Sequence, residues 1–157
     1  CGYLADAARA CARAPGCGED YLGRISGPML DRFDLRIEVP PVAYKDLDLP
    51  ATKEGSAEVA QRVAIAREIQ TARYVDLPEV WQNADAEGAV LEQATALTTE
   101  GRELLQRAAE QFGLSARGYH RVMRVARTIA DLNGSEYVHK PHVAEAISYR
   151  VPVLVPA

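Results

Sequence analysis

No G-x-x-x-x-G-K-[ST] motif occurs anywhere in the 157 residues, so the glycine-rich loop that cradles nucleotide phosphates is missing. Nor is there a hydrophobic strand ending in paired acids that could hold magnesium. Taken by itself, this sequence is not expected to hydrolyse ATP. No apolar run approaches the roughly 20 residues of a membrane span, and no signal peptide precedes the first motif, so the cytoplasm is the expected compartment. Cysteine is scarce. An odd, loosely spaced set of three (Cys1, Cys11, Cys17) falls short of the four ligands of a compact zinc site, and no metal site is assigned. The opening residue is Cys rather than Met, and the chain starts inside what reads as a motif, as expected of an excised piece.

What is present is an ordinary globular composition, 48% hydrophobic and 25% charged, with a net charge of -4. The charge is uneven. Residues 76–111 hold eight acids against Arg102 and Arg107, whereas 113–134 holds four arginines against Asp131. Any anion binding is therefore local, because the whole chain is not a polycation.

The clearest pattern is 115–133, SARGYHRVMRVARTIADLN. Tyr119, Val122, Met123, Ala126, Ile129 and Ala130 recur at three- and four-residue steps and predict a helix with one face on a core. Ser115 is an N-cap and Asn133-Gly134 a stop. Arg117, Arg121 and Arg124 fall on another face. They form either a solvated surface or, joined by Arg127, a row that binds phosphates.

Residues 1–20 read as a surface loop flanking at most one short turn of helix. In ISGPMLDRFDLRIEVP a Ser-Gly-Pro turn leads into strict alternation, with Leu35, Ile37 and Val39 on one side and Asp34, Arg36 and Glu38 on the other. This predicts a half-buried strand, closed by Pro40-Pro41. Arg32 sits just before it among Met29, Leu30 and Phe33. A guanidinium there is either presented to a phosphate or carboxylate or paired with Asp31 or Asp34.

Residues 44–53 read as an extended linker. Ser56 then caps a helix over about 56–73, with Val59, Val63, Ala66 and Ile69 inward and Arg62, Arg67 and Arg73 outward. A loop around Trp81, helices near 87–95 and 98–112, the 115–132 helix and a last one near 141–149 started by Pro141 complete a bundle.

Together ISGPMLDRFDLRIEVP and LSARGYHRVMRVARTIADL resemble the end of the ATPase core and the lid helix of AAA+ proteins of the magnesium-chelatase-like clade, and within it the bacterial ComM (YifB) group. Cys1-Gly2-Tyr3, Arg24 to Pro28, Leu30-Asp31-Arg32, Ser115 to Arg121 and Val143 to Arg150 fit in order. The implied fold is mainly α: a C-terminal helical lid bundle preceded by a strand and loop from the end of the α/β core. The implied divisions are core end 1–43, linker 44–55, lid 56–150 and tail 151–157. The tail, VPVLVPA, is expected to fray or cross to a neighbour.

The resemblance also implies a role. Arg32 would be the arginine finger, acting on the ATP of a neighbouring subunit, and Arg117 the second sensor of nucleotide. ATP and Mg2+ would be cofactors of a full-length parent and are not expected for this piece alone. Identical subunits would assemble into a hexameric ring, with DNA as substrate in branch migration during natural transformation and with no membrane partner. The alternatives are a magnesium chelatase ATPase subunit working on porphyrin and a free-standing helical DNA-binding module.

Overall fold

In the computed structural model, the described residues are 3, 9–37, 39, 42–50 and 54–150. The expectations for Cys1-Gly2, Glu38, Pro40-Pro41, residues 51–53 and the tail 151–157 fall outside them. The helices are α1 (Gly16–Leu22), α2 (Gly27–Leu30), α3 (Ser56–Arg73), α4 (Gly88–Thr95), α5 (Thr99–Phe112), α6 (Ala116–Leu132) and α7 (Lys140–Ser148). Among the described residues none is long and apolar enough to cross a membrane.

The predicted bundle is present, and α6 is its axis. This helix packs against α3, α4 and α7, while α5 packs against α7. Val122, Met123, Ala126, Ile129 and Ala130 are buried as their spacing requires, meeting Leu91 of α4, Leu105 of α5 and Val143 of α7. Each fully buried aliphatic side chain of this set stabilises the fold by roughly 1.5–3 kcal/mol. Local signals set the boundaries. Thr98 Oγ1 accepts from Gly101 N at 3.3 Å, and Ser115 Oγ accepts from Gly118 N at 3.0 Å. Gly113 (φ 59°) and Gly134 (φ 63°) take the left-handed conformation that ends α5 and α6. One parallel bridge, Leu97 with Val138, ties the chain entering α5 to the chain entering α7.

Three expectations are corrected. The first is the strand over 34–39, which does not form: no strand is present among the described residues. Leu35, Ile37 and Val39 are 49%, 69% and 82% exposed. Alternation predicts an extended backbone, but a strand also needs a ladder partner, and no strand occurs among the described residues to pair with this segment. The segment is held to the bundle instead by two isolated bonds, Arg36 N to Tyr149 O (2.7 Å) and Asp34 to Arg121 (2.5 Å).

The second correction concerns α3. At 18 residues it spans about 27 Å, and only its C-terminal end, at Ala66 and Gln70, is buried. Val59 and Val63 remain 40% and 46% exposed, and Gly55, rather than Ser56, occupies the cap position. Arg73, expected to face out, bonds Asp131 through both terminal nitrogens. The third is that residues 16–22 form a seven-residue helix, about two turns, where at most one short turn was expected.

A buried histidine starts α7. His142 Nδ1 accepts from His139 N at 3.1 Å, which requires that nitrogen to be unprotonated. Burial, then the nearby His139 and Arg127 charges, push its pKa below the ordinary value of 6.5. The folded state therefore favours the neutral ring, so this contribution to stability is complete above the ordinary value and is lost as pH falls through the folded value. Melting temperature should drop between pH 7.5 and pH 5, with a smaller drop in His142→Gln; an equal drop in both would assign the acid sensitivity elsewhere.

Candidate functional site

Ser26 opens the segment that carries Arg32 by accepting from Met29 N at 3.4 Å, which starts the single turn of α2. Arg32 follows that turn, its backbone N donating to Met29 O at 3.0 Å, and is exposed, with no hydrogen bond or ion pair from its side chain to any described residue. The two carboxylates that could have paired with it are committed elsewhere. Asp31 Oδ2 accepts from Ser115 Oγ at 2.7 Å and Oδ1 from Arg150 Nη2 at 2.5 Å, while Asp34 holds Arg121. The salt-bridge alternative for Arg32 is thereby removed.

Asp31 brings the segment that carries Arg32 to the start of α6. The Ser115 hydroxyl that caps that helix also donates to Asp31, two residues before Arg117. The hydrogen bond from Ser115 and the field of Arg150 hold the Asp31 carboxyl below its ordinary pKa, with Arg117 adding to the effect. Arg117 is exposed and, like that of Arg32, its side chain has no hydrogen bond or ion pair to any described residue. Arg32 follows Asp31 in the chain, and Arg117 lies near enough for its charge to act on that carboxylate. A cleft of about 290 Å³ lined by Asp31, Arg36, Gly113, Ser115 and Arg150 opens beside them.

Arg150 crosses α6 at Gly118, and this requires a residue without a side chain. A Cβ there would stand 2.9 Å from Arg150 Nη2 and 3.1 Å from its Nε. The guanidinium cannot easily swing away, being 4% exposed and also bonded to Phe33 O at 3.0 Å. Gly118→Ala is expected to displace Arg150 from Asp31 while changing stability by less than about 1 kcal/mol, because alanine's higher helix propensity offsets the lost contacts. Carbon-13 titration should then show the Asp31 pKa rising toward its ordinary value; an unmoved titration would mean that Arg150 adapts in place.

The rest of the arginine row is engaged within the molecule. Arg121 pairs with Asp34, and Arg124 bonds Ala86 O (2.9 Å) and Glu87 (3.2 Å). Arg127 is 1% exposed, bonded to Asp131, Ser135 O and Glu136 O. A phosphate-binding row needs several free cations along one face. Only Arg117 of these four qualifies, which disfavours a free-standing DNA module. Cys11 and Cys17 lie within hydrogen-bonding reach of each other, Cys1 is outside the described residues, and no group of three metal-ligating side chains occurs among those described.

The family pattern described as magnesium chelatase, subunit ChlI C-terminal, matches residues 53–150, and that for magnesium chelatase, subunit ChlI, matches residues 1–47. The chain belongs to the magnesium chelatase family. Among its relatives, Competence protein ComM of Haemophilus influenzae is 42% identical over 134 residues, covering 85% of this chain and 25% of that protein. An uncharacterized protein of Escherichia coli, YifB, is 41% identical over 133 residues, covering 83% and 25%. An uncharacterized protein of Mycobacterium tuberculosis is 35% identical over 141 residues, covering 89% and 27%. The chain thus spans about a quarter of the length of these curated relatives.

Within this magnesium chelatase chain, the helical bundle is the C-terminal lid that the resemblance implied, and the two residues assigned to a site stand exposed at its edge. Sequence reasoning missed what holds them there. Asp31 was visible only as a possible partner for Arg32 and within the Leu30-Asp31-Arg32 match, Gly118 as one residue of a motif, and Arg150 as the last residue of the Val143 to Arg150 match. No local pattern marks a bond between residues 31 and 150; it follows from α7 returning beside the start of α6.

Proposed function

We propose that this chain supplies the arginine finger, Arg32, and the lid-borne sensor, Arg117, to an ATP-driven ring of identical subunits, hexameric and cytoplasmic, that works on DNA. Residues 1–43 end the ATPase core, 44–55 connect it to the lid, and 56–150 form the lid. ATP and Mg2+ bind at a phosphate loop outside this sequence, and Arg32 reaches the nucleotide of a neighbouring subunit. Guanidiniums suit this work because they stay charged, stabilise negative charge developing on the transferring phosphoryl group, and need no reorganisation if already in place.

The observation that supports the reading is selective exposure. Of Arg32, Arg117, Arg121, Arg124 and Arg127, three are bonded within the molecule, and the two that the family resemblance marks are not. Arg117 also stands in the first turn of α6, near amides that attract anions. The Ser115–Asp31 hydrogen bond brings the segment that carries Arg32 to the start of the helix that carries Arg117, which supports assigning both to nucleotide. The competence name of the Haemophilus relative supports a role in competence, and DNA branch migration in transformation is the form of that role proposed here.

In the intact ring, Arg117→Ala is expected to lower nucleotide-coupled activity by about 10² or more, as removal of a preorganised donor does. Arg121→Ala and Arg124→Ala remove partly exposed ion pairs that stabilise by roughly 0.2–1 kcal/mol and should leave turnover within about threefold. DNA affinity measured by fluorescence anisotropy at several salt concentrations provides the contrast. If all three substitutions weakened DNA binding alike, each lowering the salt slope by about one, the sensor assignment would be lost.

A further inference from the structure

Asp31 divides its two carboxylate oxygens between different elements, with Ser115 of the α6 cap on one and Arg150, just beyond α7, on the other. Arg150 then reaches past it to Phe33 O at 3.0 Å. Residues 31 and 33 are gripped on both sides of Arg32, whose own side chain touches nothing described. Two further bonds continue the attachment, Arg36 N to Tyr149 O and Arg121 to Asp34. The finger is therefore free at its tip and fastened to the lid at its root.

We propose that Asp31 and Arg150 are positioning residues that lock the finger to the sensor, so that a shift of α6 in response to nucleotide carries Arg32 with it. The inference rests on the roles proposed above for Arg32 and Arg117 and adds how each informs the other. Ser115 is two residues from Arg117 and Asp31 is one from Arg32, so a single hydrogen bond spans the whole distance between the two segments. That bond is reinforced by a guanidinium almost wholly out of water, seated where Gly118 leaves room for it. Solvent competition, which weakens exposed pairs, is largely removed on the Arg150 side. Packed elements move as units rather than deforming smoothly, so a lid rotation is delivered to residues 31–33 undiminished. The arrangement makes the finger's reach conditional on the lid's state, which would allow a subunit with an incorrectly placed lid to withhold Arg32 from its neighbour.

The test has two arms. By hydrogen exchange on this chain, Asp31→Asn should speed exchange across residues 31–37 by about tenfold or more, while amides inside α5 and α7 keep their protection. In the intact ring, Asp31→Asn should lower kcat for ATP about tenfold with KM within about twofold, and adding it to Arg32→Ala should cost nothing further. A purely structural role would give losses that multiply. Unchanged exchange, or multiplied losses, overturns the lock. If Arg32→Ala alone left turnover intact, the finger role itself would fail, and the exchange arm would still decide whether Asp31 fastens the segment.

Discussion

Asp131→Ala is expected to destabilise the chain by about 3–5 kcal/mol, a large part of the roughly 5–15 kcal/mol that holds a domain folded. The Asp131 carboxylate is completely out of water, between two arginines. Arg73 bonds both of its oxygens, Arg127 Nε donates at 3.1 Å and Asn83 Nδ2 at 2.8 Å. Asn83 carries the network onward to Tyr74 OH at 2.8 Å and Thr128 Oγ1 at 3.0 Å. Burial works to raise the Asp131 pKa, but the bonds from Arg73 and Asn83 and the charge of Arg127 outweigh it, and the group titrates below its ordinary value. Its contribution is thus complete above the ordinary aspartate pKa and is lost as pH falls through the depressed folded value.

Removing the carboxylate leaves Arg127 buried with its charge uncompensated, a state in which burial already pushes its pKa down. Replacing all three ionic residues at once with apolar ones of similar size should cost much less, because no orphan charge remains. Denaturant midpoints for the single and triple variants would check this. A single-variant loss under about 1 kcal/mol would mean that water enters and solvates the arginines.

That network shows where reading the sequence stops. The helix 116–132 was legible because its apolar stripe, its cap at Ser115 and its stop at Asn133-Gly134 all lie within one stretch, and each acts over three or four residues. Arg127 carried the same periodic signal as Arg117, Arg121 and Arg124, so nothing local separated a buried ion-pair member from a surface cation. The difference comes from α3 and the 135–136 turn, which arrive from elsewhere with Arg73, Ser135 O and Glu136 O. Residues 34–39 failed for a related reason. Alternation records which side chains share a face, but pairing is a property of two segments, and the polar face found partners on α6 and beyond α7 first. Arg32 and Arg117 were legible through family resemblance, and the bonds that leave them unpaired were not.

Arg32→Ala in the intact ring is expected to leave ATP affinity nearly unchanged and to cut turnover by ~10³ or more, the scale on which a finger supplied in trans acts. The expectation follows from what Arg32 does not touch. Asp31 and Asp34, the acids on either side, are already bonded to Arg150, Ser115 and Arg121, so deleting the Arg32 guanidinium breaks no bond among the described residues. Folding and lid packing should therefore survive, and a large kinetic loss would not be a stability loss in disguise. Ground-state binding rests on a phosphate loop in the subunit that holds the nucleotide, whereas a finger contributes most as charge develops during transfer, so kcat falls and KM does not. In the proposed arrangement, finger and phosphate loop act on one nucleotide from two subunits, so mixing Arg32→Ala protein with a phosphate-loop variant should partly restore turnover. At some interfaces an intact finger then faces an intact loop. Turnover within about threefold of wild type for Arg32→Ala, or no restoration on mixing, would return Arg32 to the status of an exposed loop residue.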